Sequence, residues 1–69
     1  MTEVKKRSVD IAGHRTSVSI EAEFWVALAD IAKRKKTSVS ALIVAIDGAR
    51  KGNLSSAIRV FVLSEFRKD

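Results

Sequence analysis

The chain has 69 residues, 13 Lys and Arg against 8 Asp and Glu for a formal net charge of +5, one His, and neither Cys nor Pro. So short a chain makes one domain at most, expected to run over 1–69, and it buries only about 60% of the surface its unfolded form exposes. Disulfides and cysteine-based metal sites are excluded, yet 46% of the residues are hydrophobic, too many for a disordered tail. A second copy completing the core is the expected remedy: an obligate oligomer, a homodimer at least.

The N-terminal residues 1–6 include Lys5 and Lys6 and read as a flexible arm. A strand region over residues 7–20 follows. In Arg7-Ser8-Val9-Asp10-Ile11, Val9 and Ile11 share a face; in Arg15-Thr16-Ser17-Val18-Ser19-Ile20, Thr16, Val18 and Ile20 do. Ala12-Gly13-His14 lies between, with Gly13 suited to a turn or a bulge, so the region is either a hairpin or one long kinked strand.

The period then changes to helical. Residues 21–36 form a first helix, with Phe24, Trp25, Leu28, Ile31 and Ala32 inward. Glu21 and Glu23 lie in its first turn and Lys33-Arg34-Lys35-Lys36 in its last, as the helix dipole favours. Ser38 is a good N-cap for a second helix over residues 38–51, carrying Val39, Leu42, Ile43 and Ile46 on one stripe. That helix ends near Gly48 or, better, at a left-handed cap formed by Gly52-Asn53. A third helix covers residues 55–67, with Ile58, Phe61, Val62 and Phe66 on one side. Val60 and Leu63 widen its stripe, which predicts cover on more than one face.

The longest apolar runs, such as Val60-Phe61-Val62-Leu63, are far below the ~20 residues that span a bilayer. The charged N-terminus lacks the apolar stretch of a secretory signal, and a cytoplasmic location with no membrane association is expected. There is no nucleophile elbow, phosphate-binding glycine loop or metal-ligand cluster, so neither catalysis nor a metal or other cofactor is expected. His14, alone, reads as a turn residue or a hydrogen-bonding group at the sheet end.

A strand, a helix and a Ser-led second helix, carried by Arg15–Ile20, Phe24, Leu28, Ile31-Ala32, Ser38, Ala41-Leu42-Ile43 and Ile46, resemble the ribbon-helix-helix family of bacterial DNA-binding proteins. Within it the chain looks most like a small bacterial subgroup with a Gly-His-Arg-Thr-Ser strand and a Phe-Trp pair, here with an extra C-terminal helix. The implied fold class is mainly α with a short β-ribbon, one strand from each protomer of a dimer. The implied function is sequence-specific transcriptional regulation, the ribbon entering the major groove of duplex DNA. Arg15, Ser17 and Ser19 match the outward, base-facing positions. Thr37, Ser38 and Val39 match the phosphate-binding start of the second helix, with Lys36 beside them and Lys5 and Lys6 on the arm as further phosphate contacts.

The chain departs from the family pattern where Lys36 replaces a common Gly between the two helices, making a left-handed backbone costlier by about 1 kcal/mol. It also carries a second strand-like stretch before Arg15, able to widen the sheet or obstruct its groove-facing side, and a third helix.

A further polar cluster, Asp47, Arg50, Asn53, Ser55, Ser56 and Arg59, is open to two readings. As capping, Asp47 pairs with Arg50 or Lys51, while Asn53 or Ser55 starts the last helix. As a pocket, with His14 nearby, Arg50 or Arg59 forks onto a carboxylate and Asp47 takes an ammonium group, which suits a small polar metabolite such as an amino acid. An antitoxin whose last helix engages a toxin is a third functional alternative.

Overall fold

Two antiparallel strands and three helices follow one another in the computed structural model, which describes residues 3–50 and 52–68: β1 (Val4–Ile11), β2 (His14–Glu21), α1 (Ala22–Arg34), α2 (Val39–Ala49) and α3 (Leu54–Arg67). The fold is mainly helical with a short β-ribbon and a C-terminal third helix, as the sequence patterning predicts.

The strand region is a hairpin. Ala12 and Gly13 both take positive φ, 51° and 86°, the sign that primed two-residue turns need to match strand twist. Pairing runs from Ile11↔His14 through Ser8↔Ser17 to Val4↔Glu21. The ribbon observed is therefore built within one chain, whereas the resemblance implies one strand from each of two protomers. β1 begins at Val4, so Lys5 and Lys6 belong to the sheet and not to a flexible arm; residues 1 and 2 lie outside the described residues.

The period-two alternation sorts the hairpin into two faces. Val18 and Ile20, fully buried, point inward together with half-buried Val9 and Ile11. Against them pack Trp25, Leu28, Ile31 and Ala32 of α1, Leu42, Ile43 and Ile46 of α2, and Ile58 and Val62 of α3. The Trp25 indole N–H donates to the Lys5 carbonyl at 3.1 Å, and Arg7 stacks 5.2 Å from the Trp25 ring centre. These contacts fasten β1 to the helical layer while leaving the opposite face open.

Helix ends differ from the sequence reading in instructive ways. α1 starts at Ala22 without a side-chain cap, because the Glu21 carboxylate is drawn to Arg59 instead. It ends in a Schellman motif: the Thr37 amide donates to the Ala32 carbonyl at 2.9 Å and Lys36 to Lys33 at 3.1 Å. Lys36 takes the left-handed φ of 57° that glycine normally supplies there. Ser38 caps α2 by accepting from the Ala41 amide at 3.0 Å. That helix stops at Ala49 because Arg50 turns extended; the expected left-handed cap at Gly52 does not form, Gly13 being the one glycine with positive φ. Lys51, the expected last residue of the second helix, lies outside the described residues. Asn53, not Ser55, caps α3, accepting from Ser56 at 3.2 Å. The expected second covered face of α3 is absent from the single chain, Val60 and Leu63 being more than half exposed, and Phe66, expected on the first apolar side with Ile58 and Val62, is more than half exposed as well.

Candidate nucleic-acid interface

In an antiparallel hairpin, side chains at directly paired positions share a face. Arg15, Ser17 and Ser19 therefore stand outward with their partners Asp10, Ser8 and Lys6, on the side away from the helices. Arg15 and Ser17 are exposed and Ser19 half-buried. β1 lies beside β2 and widens the sheet without covering this face. Arg15 leans on Asp10, Nε to Oδ1 3.4 Å, an exposed pair that steadies the guanidinium and offsets its charge. Lys5 and Lys6 part company: Lys6 joins the outward face, whereas Lys5 sits at an inward position and pairs with Glu3 at 3.3 Å.

Thr37, Ser38 and Val39 form the start of α2, as the sequence places them. The Ser38 hydroxyl satisfies the Ala41 amide, and Lys36 stands immediately before the helix. Val39 is half-buried and shares a groove with Arg7, Ser8, Val9, Trp25, Val26 and Ala29, so the helix start lies under β1.

Five members of the polar cluster, His14, Asp47, Arg50, Asn53 and Ser55, line one open cleft of about 420 Å³ between the hairpin turn and the α2–α3 connection. Ser56 lies on an adjoining apolar groove, and Arg59 on neither. The polar groups in the cleft are largely engaged with one another. Arg50 Nε reaches Asp47 Oδ1 at 2.7 Å and its other arm meets the Gly52 carbonyl, so Asp47 pairs with Arg50. Asn53 is spent as the α3 cap, and the Ser55 hydroxyl accepts from the Ser19 amide at 3.3 Å. Among the described residues no group of three or more His, Asp or Glu side chains is arranged to hold a metal. No helix there is long and apolar enough to cross a membrane.

Sequence reasoning missed how α3 grips β2. Ser55 and Arg59 are one helical turn apart, and they meet Ser19 and Glu21, two residues apart on a strand; both repeats are about 6 Å. Arg59 Nε binds Glu21 Oε1 at 2.9 Å, and that hydrogen bond, above all, lowers the Glu21 pKa below its ordinary 4.5. A shared spacing of this kind was a signal in the sequence, but one visible only once β2 and α3 are neighbours. At the other end of α3, Glu65 meets Lys68 at 3.1 Å and Lys35 at 3.5 Å, and its pKa is likewise lowered, chiefly by the Lys68 hydrogen bond.

Comparison with curated proteins and with solved structures finds no match to this sequence. A family model described as a ribbon-helix-helix domain matches residues 4–66, spanning both strands and all but the end of α3. The chain belongs to the ribbon-helix-helix domain family, whose members are generally DNA-binding transcription regulators or antitoxins.

Proposed function

We propose that the protein is a cytoplasmic, homodimeric transcriptional regulator that reads duplex DNA with the outward face of its hairpin. The observation that carries this reading is that face itself. Arg15, Ser17, Ser19, Ser8 and Lys6 share one polar surface of a two-stranded ribbon whose other side is anchored to the core. The B-DNA major groove, about 12 Å wide, admits such a ribbon and displays a distinct donor and acceptor pattern for each base pair. Arg15 supplies a bidentate fork for guanine, and the serine hydroxyls donate or accept toward several bases.

The start of α2 supplies for a phosphate the first-turn amides that begin at Val39, behind the Ser38 cap, with the Thr37 hydroxyl and the Lys36 cation beside them. Lys6 adds a second basic point on the ribbon, and Lys5 one at its margin. A dimer carries about twice the +5 of one chain, which makes binding salt-sensitive.

Binding of labelled duplexes is the test. We expect micromolar or tighter association at low salt that weakens steeply as salt rises. Arg15→Ala should erase preference among sequences, a loss of about tenfold or more, whereas Lys36→Ala should weaken all duplexes alike. No binding to any duplex at low salt by a folded protein would remove the reading.

One alternative has a specific observation in its favour. The cleft at His14, Asp47, Arg50, Asn53 and Ser55 has room for an amino-acid-sized ligand. A ligand carboxylate must there compete with Asp47 for Arg50, whose existing pair serves equally well to end α2. An unfolding midpoint unmoved by a panel of amino acids would remove this alternative.

A further inference from the structure

The turn end of the hairpin holds a carboxylate on the face that meets DNA in the functional reading. Arg15, Ser17 and Ser19 stand outward there with Asp10, Ser8 and Lys6, while Glu21 at the far end is already held by Arg59. Asp10 is thus the acid of this face that a duplex meets, and toward phosphates it is repulsive. Its pairing with Arg15 gives it a different use.

Asp10 and Arg15 are direct partners across the two strands. The two-residue turn makes Ile11↔His14 a hydrogen-bonded pair, so Asp10↔Arg15 is of the other kind, with Cα atoms about 4.5 Å apart and side chains close. Arg15 donates its Nε–H to Asp10 Oδ1 at 3.4 Å. Among the described residues, neither terminal nitrogen of Arg15 nor Oδ2 of Asp10 has a hydrogen-bond partner. Both side chains are well exposed. The pair therefore offers, side by side, two donors and one acceptor.

One base pair in one orientation presents the complement of that order. Across the major groove, G·C shows guanine N7 and O6, both acceptors, and then the cytosine N4 amino group, a donor. In A·T, T·A and C·G the group at the third place is an acceptor: thymine O4, adenine N7 or guanine N7. A carboxylate set against any of these is unpaired and repelled.

We propose that Asp10 is a specificity-determining residue, and that Arg15 and Asp10 together read one G·C pair. Arg15 donates through Nη1 and Nη2 to guanine N7 and O6, and Asp10 accepts from the N4 amino group of the paired cytosine. The same carboxylate, by holding Nε, positions the guanidinium with its fork free. It also penalises the other three base pairs, so discrimination comes from repulsion as well as attraction. This inference rests on the functional reading of the hairpin face and adds to it the base pair and its orientation.

The test begins with selection of duplexes from a random pool by the wild-type protein. Affinities are then compared for a selected duplex and a random-sequence duplex. The base pair whose preference Arg15→Ala erases should be G·C. Asp10→Ala should cut the ratio of selected to random affinity about tenfold. Binding to the random duplex should at the same time tighten a few-fold and depend more steeply on salt, because a repelling charge has gone. Loss of charge alone raises both affinities equally, so an unchanged ratio overturns the proposal. A fall in both affinities together, the mark of a merely structural role, also overturns it, as does a base pair other than G·C. In each of these cases the functional reading stands on wild-type binding, whose absence removes both.

An exchange covers the case in which Asp10→Ala does not fold. Asp10→Arg combined with Arg15→Asp keeps the ion pair across the strands. It amounts to a half-turn about the axis normal to the ribbon between the two residues, which for a base pair swaps its two bases. The double variant should therefore prefer C·G to G·C at the same position, about tenfold. Retention of the original orientation, or no preference there in a protein folded by circular dichroism, overturns the joint reading.

Discussion

Lys36 carries the least favourable backbone conformation of the α1–α2 turn, at the position where its charge stands nearest the start of α2. A left-handed φ costs a side-chain-bearing residue about 1 kcal/mol relative to glycine, and the Schellman bonds of Lys36 and Thr37 fix that geometry. Lys36→Gly should therefore stabilise the fold by about 1 kcal/mol, raising the thermal midpoint by about 4–8 °C for a domain of this size. The same change removes a cation next to the α2 amides and should weaken duplex binding a few-fold. Opposite signs in the two assays would show that the residue is kept for its charge. A midpoint that stays or falls would mean that the turn does not hold a left-handed residue. Ala12 shows the same tension in the hairpin turn, a side chain at positive φ where Asn, Asp or Gly is usual.

Between elements, the contact of most consequence is the one that α3 makes with the end of β2. Arg59 holds the Glu21 carboxylate at 2.9 Å and lowers its pKa below 4.5, so in the folded state Glu21 resists protonation that the unfolded chain accepts. The unfolded state then binds more protons in acid, and the stability due to this pair is present above about pH 4.5 and is lost as pH falls through the lowered pKa. Wild type should show a flat midpoint from neutral pH to about 5 and a decline below it. Arg59→Ala should lower the neutral midpoint and decline less in acid, leaving the share of Glu65. Parallel acid limbs in the two proteins would rule out the pair as a source of the pH dependence.

None of this was legible beforehand, because a Glu at a strand end and an Arg on a helix meet only through the fold. The elements themselves were legible: Val18 and Ile20 at period two, and Leu28, Ile31, Leu42, Ile43 and Ile46 at helical spacing, report burial directly and all lie in the core. Turns were read less well, since Ala12 carries no signal for positive φ. Gly52 carries a strong signal for a helix cap that Arg50, by turning extended, makes unnecessary. Of the interface, the outward placement of Arg15, Ser17 and Ser19 follows from alternation alone, while the fastening of Ser19 by Ser55 does not.

At the scale of the molecule, the opening counts and the fold point to the same need. A single chain leaves the outer edge of β1 unpaired and keeps Val26, Val60, Leu63 and Phe66 more than half exposed, although its core of eleven buried residues is internally well paired. If association supplies the missing stability, unfolding must depend on concentration, because two folded chains in one dimer become two unfolded monomers. Each tenfold rise in concentration then adds about 1.4 kcal/mol per dimer, or about 5 °C in midpoint for chains of this size. Calorimetry over a hundredfold range should therefore show a rise of about 10 °C, and a concentration-independent midpoint would mean that the eleven-residue core suffices alone. Exposure of Val60, Leu63 and Phe66 adds a second reading to the same experiment. Leu63→Ser should flatten the concentration dependence when this face of α3 joins the chains, and should leave the slope unchanged when it does not.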